Sequence, residues 1–252
     1  MLLKQPNSLH TPVFGAAGAL EAALPVPSLS TLGKAAMAAV LRLLSERGHL
    51  EQLALADCTC GNGHDSLFLS QCLAELKGGE RCPLLAFDVQ GAALDATEKR
   101  LAPASAAPSG AAQRRLVTKS GGDVRLLLAG HEHLAVHLQA QAPGRALALA
   151  VYNLGFLPGS DKRLVTLPAS TLASLEQAAH LLAPGGLVCV HAYAGHAGGQ
   201  DELTAVTGWF QALPSFWHSA SYGVCNKARN PERLFLAHLP FTPHSPHVAK
   251  RA

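Results

Sequence analysis

A turn that holds two glycines, Gly61 and Gly63, separates a predicted buried strand from a predicted helix. The strand covers Leu53–Asp57, and the helix begins at about His64. Because glycine has no Cβ, it lets the backbone turn sharply and come close to a ligand. The N-terminus of the helix adds unpaired N–H groups and the positive end of the helix dipole. The turn is therefore suited to the carboxylate of a ligand, and Asp57 to an ammonium group on the same ligand.

The second predicted strand ends in an acid, Asp88. The number of residues between Gly61 and Asp88 is right for a carboxylate that binds a ribose diol. This order of elements favours a nucleotide-like cofactor: a strand, a glycine turn, a helix, a second strand and an acid. A dinucleotide oxidoreductase uses the same acid but normally has a third glycine, and Ser66 takes that position here. We therefore expect S-adenosylmethionine, which carries both a carboxylate and an ammonium group. The alternatives are a plain tight turn for the glycines and an ordinary helix N-cap for Asp88.

A second polar segment follows the fourth predicted strand, which covers Arg145–Tyr152. Asn153 and Phe156 stand at the spacing of the Asn/Asp-Pro-Pro-Tyr/Phe motif of methyltransferases that act on amino groups. The Asn amide oxygen and the next backbone carbonyl accept hydrogens from the nitrogen nucleophile, and the aromatic ring stacks on the base. On this logic Asn153→Asp keeps the acceptor and retains more activity than Asn153→Ala. The alternative is a polar turn with Phe156 in the core.

Seven predicted strands alternate with helices along the chain, which indicates right-handed βαβ crossovers. The strands are expected at 53–57, 84–87, 116–118, 145–152, 187–192, 217–225 and 233–239. The last two follow each other directly and predict an antiparallel hairpin. The expected fold class is α/β, with a doubly wound, mostly parallel seven-stranded sheet and an antiparallel C-terminal edge.

The composition, 48% hydrophobic and 15% charged over 252 residues, suits one large α/β domain. We expect a loosely attached arm at 1–28, the domain at 29–240 and a tail at 241–252.

The apolar runs are too short for a transmembrane helix, and the N-terminus does not resemble a signal peptide. Six scattered cysteines indicate reduced thiols in a cytoplasmic protein, with organellar targeting left open. The net charge of +3 is compatible with an RNA partner.

Five motifs in a fixed order carry a resemblance to a known family. They are DCTCGNGHDS at 57–66, AFDVQ at 86–90, NLGFLPGSDK at 153–162, Tyr193 with Gly195 and His196, and Tyr222 with Gly223 and Asn226. Together they resemble the small bacterial and plastid rRNA methylase-like family of class I methyltransferases, over about Ala36 to Leu239. Characterised members methylate the aminomethyl group of 5-aminomethyl-2-thiouridine at the tRNA wobble position. The resemblance implies S-adenosyl-L-methionine as cofactor, the tRNA anticodon region as partner, and no metal or membrane.

The resemblance and the motifs assign site residues in three groups. The expected cofactor-binding residues are Asp57, Thr59, Gly61, Asn62, Gly63, His64, Asp65, Asp88, Gln90, His131, Asn153 and Leu154. The expected catalytic residues are Asn153, Tyr193 and His196, and the expected substrate-binding residues are Phe156, Asp161, Lys162, Tyr222, Asn226 and Arg229. An aliphatic ammonium must lose a proton before it attacks, and the sequence does not choose among water, a carbonyl, His131, Tyr193 and His196 as acceptor.

Several segments on the acceptor side depart from the family pattern. The family often has Tyr-His-Gly-His where this chain has Tyr-Ala-Gly-His at 193–196, and the segment 226–231 is also altered. The reaction type is therefore better supported than the substrate. The alternatives are a methyltransferase that acts on rRNA or on a small-molecule amine, and a non-catalytic RNA-binding module. A homodimer is common among such folds, and the sequence leaves the oligomeric state open.

Overall fold

A computed structural model describes residues 27–102, 110–118, 121–155, 165–225 and 232–241. The predicted N-terminal arm at 1–28 and the tail at 241–252 lie almost wholly outside the described residues, and these boundaries stay predictions. No helix within the described ranges is long and apolar enough to cross a membrane.

One sheet of eight strands forms the centre of the described part of the chain. In chain order the strands are β1 (Leu53–Asp57), β2 (Leu84–Asp88), β3 (Gln113–Val117), β4 (Asp123–Leu128), β5 (Ala146–Leu154), β6 (Leu182–Tyr193), β7 (His218–Gly223) and β8 (Glu232–His238). Their order across the sheet is β3-β4-β2-β1-β5-β6-β8-β7. The inner strands β4, β2, β1, β5 and β6 run parallel, and β3, β8 and β7 pair antiparallel. The predicted fold class and its antiparallel C-terminal edge are confirmed.

The number of strands differs from the seven expected, because the weak third strand is one half of a hairpin. The predicted segment at 116–118 overlaps only the end of β3, which pairs antiparallel with β4. β4 takes the place beside β2 and was missing from the sequence prediction. Its apolar pattern is interrupted by Arg125, which binds Asp123 on the same strand at 2.6 Å. A charge that is neutralised by a near neighbour is tolerated in a strand, and the sequence pattern does not show that pairing.

Six α-helices flank the sheet in the described residues, three on each face. They are α1 (Leu29–Glu46), α2 (His64–Glu75), α3 (Gly91–Leu101), α4 (Leu134–Gln141), α5 (Pro168–Leu181) and α6 (Gly199–Ala212). The first three pack on one face through an apolar core, and the last three pack on the other through a second core. Because both faces are covered, β1 is buried at all five positions. The carboxyl ends of the parallel strands, where ligands bind in such sheets, form the candidate site.

Candidate active site

The ends of β1 and β5 are tied together by two hydrogen bonds. The Cys58 N–H donates to the Val151 carbonyl at 2.8 Å, and the Asn153 N–H donates to Thr59 Oγ1 at 2.6 Å. The predicted cofactor loop after β1 and the predicted acceptor residue on β5 therefore share one rigid junction. Thr59, which the sequence assigned to the cofactor, positions the backbone of Asn153.

The glycine turn after β1 is held against the end of β2 by Asp88. The Gly61 N–H donates to one carboxylate oxygen of Asp88 at 3.0 Å, and the Gln90 N–H donates to the other at 2.9 Å. Gly61 has a φ of 50° and Gly63 a φ of 76°, a region that favours glycine. Burial raises the pKa of Asp88, and the backbone N–H donors oppose that rise. Asp88 thus orders the turn, and its oxygens keep lone pairs for a ribose diol.

Asp57 lies beneath the turn rather than at its open surface. Its side chain is 1% exposed, with one oxygen accepting from Ser66 Oγ at 2.6 Å and the other from the Thr59 N–H at 3.3 Å. Burial, with a contribution from Asp65, raises the pKa of Asp57 to about 7. The hydrogen bond to Asp57 therefore explains why a serine, Ser66, stands at the position of the third glycine of a dinucleotide motif. Direct contact between Asp57 and a ligand ammonium stays a prediction, and the structure places Asp57 as a support of the loop.

Asn62 and His64 lie on the outer side of the turn, where α3 approaches it. Arg100 Nε donates to the Asn62 carbonyl at 2.6 Å, and Arg100 Nη2 lies 3.2 Å from His64 Nε2. Burial and the neighbouring Arg100 and Lys34 cations lower the pKa of His64. The positive features beside the turn are therefore the Arg100 guanidinium and the helix N-terminus.

His131 opens a short 3-10 turn after β4 and points back to the glycine loop. Its Nδ1 lies 3.2 Å from the Cys58 carbonyl, and its ring meets that of Tyr152 edge-on at 5.9 Å between centroids. The side chain is buried, and its Nε2 has no hydrogen-bond partner among the described residues. Burial lowers the pKa of His131. A buried nitrogen of this kind is suited to a polar ligand atom, and the cofactor role of His131 stays a prediction.

Asn153 meets Asp65 at the ends of β5 and α2. The Asn153 side-chain amide donates to one carboxylate oxygen of Asp65, and Lys34 on α1 lies 3.7 Å from the other. Asn153 is exposed, whereas the side chain of Leu154 is buried. A small recess lies beside this pair, lined in part by Asp65, Asn153 and His191. The predicted acceptor residue is therefore adjacent to the predicted cofactor loop.

The other two predicted catalytic residues follow β6. Tyr193 is the last residue of β6, and its hydroxyl lies 3.0 Å from Nδ1 of His191. His196 lies in the next loop, with Nδ1 3.0 Å from the Ala197 carbonyl. Its Nε2 lies 3.5 Å from a Cβ built on Gly155, so His196 lies beside the start of the segment after β5. Both residues thus lie near the carboxyl ends of β5 and β6.

Tyr222 is the only predicted substrate-binding residue within the described ranges. It lies on the exposed edge strand β7 and borders a groove between this edge and α1. The other predicted substrate-binding residues, Phe156, Asp161, Lys162, Asn226 and Arg229, lie outside the described residues. Their roles stay predictions.

A buried carboxylate that the sequence analysis missed holds the base of the segment after β5. Glu202 on α6 is 2% exposed and accepts from the hydroxyls of Thr166 at 2.6 Å and Thr171 at 2.7 Å. Gly155 N–H donates to Thr166 Oγ1 at 2.9 Å, and Thr166 N–H donates to the Gly155 carbonyl at 3.0 Å. Gly155 and Thr166 are therefore held together by two hydrogen bonds, and Glu202 anchors Thr166. Because these residues are distant in sequence and form no motif, no local signal identifies them.

Comparison with known proteins decides the family. A family model described as "Putative rRNA methylase" matches residues 84–238. The chain belongs to this family. A curated relative, the chloroplastic tRNA (mnm(5)s(2)U34)-methyltransferase of Arabidopsis thaliana, is 31% identical over 181 residues, which are 71% of this chain. The chain spans 61% of the length of that relative.

Solved structures place this rRNA methylase family member in the class I methyltransferase fold. A putative rRNA methylase from Clostridium thermocellum is 25% identical, with a TM-score of 0.59, and the match covers 78% of this chain and 96% of that one. A putative methyltransferase from Streptococcus mutans, solved in complex with S-adenosylhomocysteine, is also 25% identical, with a TM-score of 0.56 and the same coverage. The expected family and fold class are confirmed, and S-adenosylmethionine is the cofactor to which this family and fold point.

Proposed function

We propose that this family member transfers a methyl group from S-adenosylmethionine to the aminomethyl group of a modified wobble uridine in tRNA. The observation that carries the proposal is the position of Asn153 at the end of β5, hydrogen-bonded to Asp65 in the first turn of α2, directly after the predicted cofactor loop. The 31% identity to a relative named as a tRNA (mnm(5)s(2)U34)-methyltransferase supports the choice of substrate.

The residues of the turn would hold the donor. Asp88 is suited to the ribose diol, the N-terminus of α2 to the methionine carboxylate, and the unpartnered Nε2 of His131 to a polar atom of the nucleoside. Once bound, S-adenosylmethionine supplies an electrophilic methyl group on a sulfonium sulfur. The protein does not need to supply a covalent nucleophile, because transfer by direct in-line attack depends mainly on positioning.

Asn153 would orient the incoming amine. Since its amide nitrogen donates to Asp65, its Oδ1 is directed away from Asp65 and is the acceptor that remains. Together with the Leu154 carbonyl, Oδ1 would accept two N–H bonds and aim the nitrogen lone pair at the methyl group. The backbone bond from Asn153 to Thr59 fixes this arrangement before substrate binds.

The tRNA anticodon region and a cytoplasmic location are part of the same proposal. The acceptor side would contact RNA through phosphate-binding cations, so binding would weaken steeply as salt is added. The relative from Arabidopsis thaliana is chloroplastic, and compartment is therefore best tested by microscopy of a tagged full-length chain.

The decisive experiment uses tRNA isolated from a strain that lacks wobble methylation. We expect the purified protein to transfer labelled methyl groups to this tRNA and not to unmodified transcripts of the same sequence. Mass spectrometry of the nucleosides would place the methyl group on the aminomethyl nitrogen. Label in rRNA but not in tRNA would contradict the substrate assignment, and equal activity on unmodified transcripts would contradict the amine specificity.

A further inference from the structure

Two side chains without an assigned role, His191 and Glu232, form a row with Tyr193 across β6 and β8. The Tyr193 hydroxyl lies 3.0 Å from His191 Nδ1, and His191 Nε2 lies 3.5 Å from a carboxylate oxygen of Glu232. The rings of His191 and Tyr193 are 4.3 Å apart between centroids. Strand register explains the grouping, because Tyr193 on β6 is directly opposite Glu232 on β8.

This row leads from the acceptor side into the protein. Tyr193 is 38% exposed, whereas His191 is 6% exposed. His191 is also the register partner of Asn153 on the neighbouring strand β5, and both residues line the same recess. Tyr193 is therefore the member of the row that is more exposed to solvent, and His191 lies one strand away from the residue proposed to orient the amine.

We propose that Tyr193, His191 and Glu232 form a relay that removes the proton from the substrate ammonium. The inference rests on the proposed function and names its missing proton acceptor. One ammonium N–H bond breaks and its proton passes to Tyr193 Oη, while the Tyr193 O–H proton passes to His191 Nδ1. The electron pair left on the amine nitrogen then forms the bond to the methyl carbon, and the sulfur keeps the pair of the broken S–C bond. Glu232 stabilises the imidazolium that forms.

The groups around His191 determine its resting protonation state. The groups that face it are Tyr193 on β6, Glu232 on β8 and Asp65 on α2, with Lys34 of α1 paired to Asp65. Burial lowers the pKa of His191 and outweighs the two carboxylates, so the resting imidazole is neutral and can take a proton. Burial, with Glu232 and Asp65, raises the pKa of Tyr193 to about 12, so its hydroxyl is protonated and donates to His191.

The relay predicts a distinctive pH profile. With a neutral His191, the ammonium proton stays inside the complex, and the single-turnover rate is independent of pH from about pH 7 to about pH 9. Without the relay, the proton must go to solvent, and the rate rises about tenfold per pH unit until the amine itself is neutral. A residue that only supports the fold would change the rate by the same factor at every pH.

His191→Asn is the first test, because its amide oxygen accepts from Tyr193 but takes up no proton. We expect its single-turnover rate at about pH 7 to fall on the order of 100-fold, and to approach that of the unsubstituted protein near pH 10. The single-turnover rates of Tyr193→Phe and Glu232→Gln should rise with pH in the same way. These two variants keep the inference testable if His191→Asn does not fold. His180→Asn, at an exposed position on α5, is the matched control and should keep the unsubstituted rate and profile.

The outcomes separate the relay from the proposed function. One outcome supports both the relay and the proposed function: the unsubstituted protein methylates aminomethyl tRNA, and the rates of all three variants rise steeply with pH. Transfer by folded variants that share the flat profile of the unsubstituted protein overturns the relay alone. No transfer by the unsubstituted protein to this tRNA at any pH overturns the proposed function, and the relay with it.

Discussion

The side-chain amide of Asn153 donates a hydrogen bond to the carboxylate of Asp65, which joins the end of β5 to the first turn of α2. One residue of this pair was predicted to orient the substrate and the other to bind the cofactor. Their contact means that the residues predicted to position the nucleophile and the donor belong to one shared unit. It also fixes the orientation of the Asn153 amide, whose nitrogen faces Asp65.

Asn153→Asp is expected to be at least as damaging as Asn153→Ala, which reverses the order that the sequence alone suggests. Loss of one orienting contact should lower the single-turnover rate about 30- to 1000-fold, or roughly 2–4 kcal/mol. In Asn153→Asp a second carboxylate would face Asp65, and the repulsion would displace the acceptor oxygen. Rates with saturating cofactor and tRNA, and calorimetric cofactor affinity, measure the two effects separately.

The control is the double variant Asn153→Asp/Asp65→Asn, which restores one carboxylate and one amide. We expect it to turn over faster than Asn153→Asp alone, as a double-mutant cycle for a contacting pair requires. If Asp65→Asn brings no recovery in a folded protein, the Asn153–Asp65 contact does not control the acceptor.

Asp88→Ala is expected to weaken cofactor binding while leaving the fold intact. The variant removes both acceptors for the Gly61 and Gln90 N–H groups and the proposed ribose contact. A loss on the order of 1.5–3 kcal/mol, or roughly ten- to hundredfold in Kd, should appear in calorimetry. Asp201→Ala, at an exposed position on α6, serves as control. Unchanged affinity in folded Asp88→Ala would remove Asp88 from the cofactor site.

Gly63→Ala is expected to destabilise the protein more than Gly48→Ala. Both glycines have a left-handed φ, 76° and 71°, so alanine is strained at either position by about 1 kcal/mol. A Cβ at position 63 would also lie 2.8 Å from Thr97 Cα, whereas one at position 48 meets nothing within 4 Å. Overpacking of this kind costs roughly a further 1–3 kcal/mol. Equal free energies of unfolding in urea would show that the approach of α3 to the turn is not tight.

The stability of the protein is expected to depend on pH through Asp57. Its pKa is raised from 3.8 to about 7 in the folded state, so the folded protein binds more protons than the unfolded chain between these values. The favourable contribution is therefore complete below 3.8 and is lost as the pH rises through about 7. Asp57→Asn, which keeps partners for Ser66 and Thr59, should gain stability over the unsubstituted protein between about pH 4 and about pH 8. Urea unfolding at several pH values, with Asp201→Asn as control, measures this; parallel curves would contradict it.

Local sequence determined the elements that carry the cofactor motif. β1 lies at the predicted 53–57, β2 ends at the predicted Asp88, and the turn between β1 and α2 contains the two left-handed glycines. These features follow from apolar runs and from the conformational freedom of glycine, which act within a few residues. The order of motifs along the chain also indicated the family, because each motif is itself a contiguous segment.

Only the tertiary structure decided which side chains meet. The hairpin partner of β3, the burial of Asp57 beneath Ser66, and the alignment of Tyr193 with Glu232 depend on strand register and on helices packed across the sheet. A one-residue shift in register would turn every side chain of a strand to the other face, and no short-range pattern records that choice. The sequence therefore determined the elements and the motifs of this family member, while packing determined that His191 lies between Tyr193 and Glu232.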